Sequence, residues 1–277
     1  MIRVSSLRDI LTTDVPSVAP RPLSARSVVA STLLGADPPE LPVRTIVRCG
    51  GLFGIGAGAV RTAVSRMVAD GSLVLDAERR TYGVGGRLAA RLARQGEGRS
   101  LEGSSGVWDG TWDEAVVHEG ARSAADRVAL RSAATVLRLG RLREGVWLRP
   151  ANLDPDRHPD AARTVATQTV WLQARPEDPV GLASTLWDLA GWAATARTLE
   201  VLLAGHLDDL DGGDPAALAD GFLLSAAVLR HLVADPLLPA ELTGATWPGT
   251  SLRSVYDDYD RRYKARWRAW FRAEADS

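Results

Sequence analysis

The stretch AVRTAVSRMVADGSLVLDAERRTYGV, Ala59–Val84, decides how this chain is read. At 100° per residue, Val60, Ala63, Val64 and Met67 gather on one face of a helix over 57–69, with Arg61, Thr62, Ser65 and Arg66 on the other. One face suits a core. The other suits DNA, because guanidinium forks fit guanine or phosphate and hydroxyls fit phosphate or base edges. Asp70-Gly71 stops the helix, glycine taking the left-handed cap. Leu73-Val74-Leu75 and Thr81-Tyr82-Gly83-Val84 then flank a polar turn carrying Arg79 and Arg80, which predicts two short strands with a basic tip.

Working outward, Ser24 can cap a helix running to about Leu34, with Val28, Val29, Thr32 and Leu33 inward. A second helix is expected from Pro42 to Cys49, ended by Gly50-Gly51 and followed by a glycine-rich turn. After the hairpin, a helix over Gly86–Gln95 sets Arg87, Arg91 and Arg94 in one basic stripe. This order predicts a winged helix-turn-helix over residues 23–99. Its candidate DNA contacts are Arg44, Arg61, Thr62, Ser65 and Arg66 on the helices, and Arg79, Arg80 and Tyr82 on the wing. A polar outer face alone is ordinary for a small domain; the order of elements carries the reading.

The chain has 277 residues and a net charge of −1, unevenly spread. Pro20–Arg99 holds 12 Arg against 6 Asp and Glu, whereas residues 100–277 hold 19 basic and 26 acidic residues. A basic head on an acidic body fits a nucleic-acid-facing module joined to one that is not. No apolar run is read as reaching the roughly 20 residues of a membrane span. Residues 1–22 lack the apolar block of a signal peptide and are expected to be a flexible lead-in ending in the Pro20–Pro22 break. The single cysteine, Cys49, excludes an internal disulfide and suits a reducing compartment.

Leu101–Gly106, LEGSSG, is expected to be a joint. Beyond it, strands are expected at Trp112–His118, Gly145–Arg149 and Thr164–Leu172, with a helix at Ala121–Leu139, an α+β arrangement over residues 107–178. Arg141, Arg143 and Arg149 bracket Val146-Trp147-Leu148 and read either as an anion site or as strand ends. Residues 179–277 read as helical. Their last segment spaces Tyr256, Tyr259, Tyr263, Trp267 and Trp270 as one seam, a core or dimer contact more readily than a stacking platform.

The segment quoted at the outset resembles the winged-helix region of the phenylacetate-degradation repressor family, PaaX. Two further stretches match that family in order and spacing: WDGTWDEAVV, Trp108–Val117, and DPLLPAELTGATWPG, Asp235–Gly249. The resemblance spans about Ser24 to Trp270. It implies a cytoplasmic dimer that binds an inverted-repeat operator, represses catabolic genes and leaves DNA on binding an acyl-CoA thioester, phenylacetyl-CoA in the founding members. It also implies a ferredoxin-like central domain and a helical C-terminal domain for effector binding and dimerisation. The expected fold is therefore α+β and multidomain: winged helix-turn-helix, ferredoxin-like domain, helical domain.

An enzyme needs convergent reactive groups, and few candidates exist. Cys49 has no neighbouring histidine, and His118, His158, His206 and His231 lack metal-ligand spacing. Gly54-Ile55-Gly56-Ala57-Gly58 is similar to a dinucleotide loop, but no βαβ unit surrounds it. No cofactor, metal or catalytic residue is expected. The rival readings are a metal-dependent nuclease using Asp109 and Asp113 of the central domain, and a scaffold with a degenerate DNA module.

Overall fold

The structure, a computed structural model, describes residues 7–13, 15–18, 23–99, 107–118, 122–212 and 215–273. Its first part runs α1 (Leu7–Thr13), α2 (Ala25–Gly35), β1 (Glu40–Pro42), α3 (Val43–Leu52), α4 (Ala57–Ala69), β2 (Leu73–Asp76), β3 (Thr81–Val84) and α5 (Gly86–Arg99). Ser24 starts α2 with a reciprocal cap: its hydroxyl accepts the Ser27 N–H at 3.1 Å, and the Ser27 hydroxyl accepts the Ser24 N–H at 2.8 Å. The core of this head joins Val29 and Leu33 of α2, Ile46 of α3, Val60, Val64 and Met67 of α4 and Leu73 of β2. Gly71, at φ +71°, turns the chain from α4 into the hairpin.

Two details of the head differ from expectation. Gly50 and Gly51 lie inside α3 instead of ending it. A Cβ at Gly50 would sit 2.5 Å from Val60 Cγ2, so this glycine lets α3 and α4 close on each other. The hairpin also gains a third strand: β1 pairs antiparallel with β3, in the order β1-β3-β2, aligning Leu41, Tyr82 and Leu75.

The middle runs β4 (Trp112–Val117), α6 (Ala124–Val136), β5 (Gly140–Arg143), β6 (Val146–Pro150), α7 (Pro159–Ala166) and β7 (Thr169–Ala174). Its four strands form one antiparallel sheet in the order β5-β6-β4-β7. Residues 164–172, expected as one strand, divide between α7 and β7. Pro159 occupies the first turn of α7 and Val165 is fully buried there, so packing overrides the β-branched composition. Then follow α8 (Pro179–Leu186), α9 (Leu189–Asp211), α10 (Pro215–Val233), α11 (Ala240–Thr243) and α12 (Gly249–Ala273). The architecture is mixed α+β with a helical C-terminal region.

These elements pack as two compact units. The first gathers residues 1–100, 195–234 and 249–277; the second gathers 101–194 and 235–248. The domains expected from the sequence lie end to end, at 1–22, 23–99, 107–178 and 179–277. Packing interleaves them, for α10 lies against α1, α5 and α12. The expected flexible lead-in is corrected where it is described. Leu11 of α1, with Val15 and Val18 just beyond it, is buried, and Arg230 of α10 donates to the Val18 carbonyl. Pro20–Pro22 and Leu101–Gly106 fall outside the described residues.

Contrary to the expectation of no such run, the apolar window Ala216–Val233 of α10 is, at 18 residues, long and apolar enough to cross a membrane. Half of it is buried within the first unit, as in the core helix of a folded domain. The aromatic seam of α12 lines the same core. Tyr256, Tyr259 and Tyr263 are buried, the Tyr259 hydroxyl bonding His206 Nδ1 at 3.0 Å and Tyr263 donating to the Leu218 carbonyl at 2.7 Å.

In the second unit, Trp108-Asp109-Gly110 makes a tight turn. Asp109 accepts the Thr111 N–H and hydroxyl, both at 2.9 Å, and Gly110 takes φ +87°. The segment 235–248 is fastened to the sheet side of that unit. Asn152 donates to the Leu237 carbonyl at 2.8 Å, Leu242 joins the cluster around Trp112, and Trp247 stacks on Trp192 at 4.6 Å.

Candidate nucleic-acid interface

The periodicity of α4 sorts its side chains as expected. Val60, Ala63, Val64 and Met67 are buried, while Arg61, Thr62, Ser65 and Arg66 are exposed. Neither arginine has an ion-pair partner among the described residues. The start of the helix is equally bare. Gly56 is the N-cap and supplies no side-chain cap, the first turn has no acidic residue, and Gly58 follows one turn position later. A Cβ at Gly54, Gly56 or Gly58 would meet nothing within 4 Å, so these glycines face open space. The unpaired N–H groups and the positive end of the helix dipole are therefore accessible to an anion.

The far end of α4 is fastened internally. Arg26 of α2 donates to Asp70 at 2.7 Å and to Ser72 at 3.0 Å. The Ser72 and Arg26 hydrogen bonds hold the Asp70 carboxyl at about 2, below the usual carboxylate range. Arg26 thus helps fix the angle between α2 and the helix that carries the exposed face.

The hairpin packs beside α4 through β2. Asp76 builds its turn by accepting the Glu78 and Arg79 N–H groups at 3.0 Å, and Arg80 takes φ +55°. Both tip arginines are exposed. Arg79 keeps only long ion pairs, 3.7 Å to Glu40 and 3.8 Å to Asp76, with its side chain 73% exposed. Arg44 is exposed in the first turn of α3. Tyr82 is half-buried, its ring packed on the head core. Arg87 is exposed, whereas Arg91 and Arg94 are half-buried beside α10, so the basic stripe of α5 turns partly inward.

Other candidates are occupied structurally. Cys49 is buried, and burial pushes its thiol up to about 12, consistent with a small core residue. Asp109 is held by Thr111 and by Arg175 at 2.7 Å, and Asp113 lies 3.5 Å from Arg149. Burial raises the Asp113 carboxyl, with Arg149 opposing. Arg149 itself is buried and donates to the Leu137 and Leu153 carbonyls, so it is not an exposed strand end; Arg141 and Arg143 remain exposed on β5. No group of three or more metal-ligating side chains occurs among the described residues.

One site residue gave no signal in the sequence. Arg48 of α3 lies over the rings of Trp270 and Phe271 at 5.1 and 5.4 Å, linking the helix before α4 to the end of α12. More than 200 residues of chain separate these partners, so no spacing rule could pair them.

Residues 24–92 match the PaaX-like protein family, and residues 187–273 match the PaaX-like protein C-terminal domain. A solved structure, the uncharacterized protein Rv0674 from Mycobacterium tuberculosis, is similar at 38% identity and a TM-score of 0.66. The alignment covers 89% of this chain and 98% of that one. No curated protein matches the chain.

Proposed function

From the premise that this chain belongs to the PaaX-like family, a family of DNA-binding transcriptional regulators, we propose that it is a repressor of catabolic genes released from its operator by an acyl-CoA thioester. One observation carries the DNA-binding part: α4 presents Arg61, Thr62, Ser65 and Arg66 outward from an uncapped, acid-free, glycine-lined N-terminus, with the basic hairpin beside it. Read as a winged helix-turn-helix, the head inserts α4 into the major groove. Arg44 and the N-terminus of α4 approach phosphates, and Arg79 and Arg80 reach the flanking backbone. Tyr82 then serves chiefly to brace the wing on the core.

The split order β4-α6-β5-β6-α7-β7, with the sheet order β5-β6-β4-β7, supports a ferredoxin-like reading of the central domain. In a homodimer, two heads would read the halves of an inverted repeat in successive grooves. Effector binding must favour a state in which the heads no longer match that spacing, which requires different affinities for the two states.

Fluorescence anisotropy on DNA from upstream of the gene itself, against shuffled DNA at near-physiological salt, tests this reading with and without phenylacetyl-CoA. Specific binding relieved by the thioester is expected. Specific binding indifferent to it removes that effector, and equal affinity for shuffled DNA removes the regulator.

A further inference from the structure

We infer that the first unit holds a binding site for a small phosphate monoester, in a cavity of about 420 Å³ between α2 and α5 of the head and α10. This site goes beyond the regulator reading and does not rest on it. Packed interiors leave few voids larger than a water molecule, whereas small-molecule sites span roughly 300–1,000 Å³. The volume belongs with the second class.

Charge decides what the cavity takes. Arg91 and Arg94, one turn apart on α5, line it together with Arg230 of α10, and no Asp or Glu does so among the described residues. Guanidinium groups gathered around a wall without a negative group create a local positive potential that draws an anion. Arg94 is half-buried and has no ion-pair partner among the described residues. Arg230 is positioned by donating to the Val18 carbonyl. The adjoining cavity, walled by Tyr263, Trp267 and Phe271, differs: there Asp37, Glu40 and Asp260 face Arg91, Lys264 and Arg268, and the charges balance. The positive excess is therefore local to the first cavity.

Neutral donors converge on the same wall. The Gln95 side chain lines the cavity at 7% exposure and has no hydrogen-bond partner among the described residues. A buried amide left unpaired is costly, and its N–H groups can donate to an oxyanion. Ser31 adds a hydroxyl, and Ser27 brings up the first turn of α2, which holds no acidic residue and carries the positive end of the helix dipole.

A carboxylate is satisfied by one guanidinium fork. A phosphate monoester carries a charge of about −1.5 to −2 and three acceptor oxygens, enough for several donors at once. Such a group occupies only part of the volume. Phe222, Leu223, Ala226 and Leu229 of α10 supply apolar surface for the body esterified to it. A ligand held by α5 on one side and α10 on the other stabilises the packing of the head on that helix.

Isothermal titration of the full chain at about pH 7.5, where phosphate monoesters are largely dianionic, tests the site with phenyl phosphate, inorganic phosphate and benzoate. Wild type is expected to bind phenyl phosphate, with the other two at least tenfold weaker, and to melt at a higher temperature in its presence. Arg94→Gln should weaken that binding more than tenfold while its own melting temperature stays that of unliganded wild type. Undiminished binding by a folded Arg94→Gln overturns the placement; if that variant does not fold, undiminished binding by Arg91→Gln does so. Absence of phenyl phosphate binding, or equal affinity for benzoate or inorganic phosphate, overturns the assigned ligand class. No DNA takes part, so failure here is separate from failure of the operator experiment.

Discussion

The guanidinium of Arg48 on α3 lies 5.1 Å from the ring centroid of Trp270 on α12, joining the helix before α4 to α12. Phe53, at the C-cap of α3, meets Phe222 of α10 at 4.7 Å. The C-terminal half of α3 is thereby held by C-terminal helices. The head does not stand apart from residues 195–234 and 249–277; it packs with them as one unit.

Replacing Arg48 with alanine should lower stability by about 0.5–1 kcal/mol, the size of a partly exposed cation–π contact. Thermal denaturation reads this as a drop of a few degrees. An unchanged melting curve would show that the stack contributes nothing in solution.

Gly58→Glu should act with opposite signs on folding and on DNA. A carboxylate in the first turn complements the helix dipole and glutamate is a better helix former than glycine, so stability should rise by about 0.3–1 kcal/mol. The same charge faces the phosphates if α4 enters the groove, and affinity should fall more than tenfold. Measuring the melting curve and anisotropy on one preparation separates the two effects.

Arg79→Ala should weaken binding to specific and shuffled DNA alike and reduce the slope of log affinity against log salt by about one, because a phosphate contact carries no sequence information. A loss confined to one base position would instead assign Arg79 to base readout.

Gly50→Val should unfold or markedly destabilise the head. Even a Cβ meets Val60 Cγ2 at 2.5 Å, and overpacking of this kind costs about 1–3 kcal/mol. Chemical denaturation should show a lower midpoint at unchanged slope.

His206 gives a pH signature. Burial depresses its pKa, with Asp209 and Asp220 opposing, while its Nδ1 bonds the Tyr259 hydroxyl. The folded state therefore holds the neutral ring. The stability from this site is full above the unfolded histidine pKa of about 6.5 and is lost as pH falls through the folded value. Wild type should lose melting temperature below pH 6.5 more steeply than His206→Gln; parallel curves would contradict the assignment.

Much of the head was legible because its elements are local. A 3.6-residue period separated Val60 and Met67 from Arg61 and Ser65, and a Ser24 cap marked the start of α2. β1 was hidden because Pro38-Pro39 read as a break and Pro42 as the start of a helix, although a three-residue strand there needs only its partner β3. The helix over Pro159–Ala166 was hidden by β-branched residues whose fate the burial of Val165 decided. The arginine-lined cavity was legible only in part. Arg91 and Arg94 read as one stripe, but Ser31 and Arg230 reach it from α2 and α10, and no spacing rule gathers residues that far apart.

The most direct test of the central claim is the affinity of Arg61→Glu for DNA that the wild type binds specifically, measured beside its melting curve. The account predicts loss of specific binding by at least a hundredfold with the melting temperature unchanged, since Arg61 is exposed and makes no ion pair among the described residues. Wild-type affinity in this variant would contradict a DNA-reading α4.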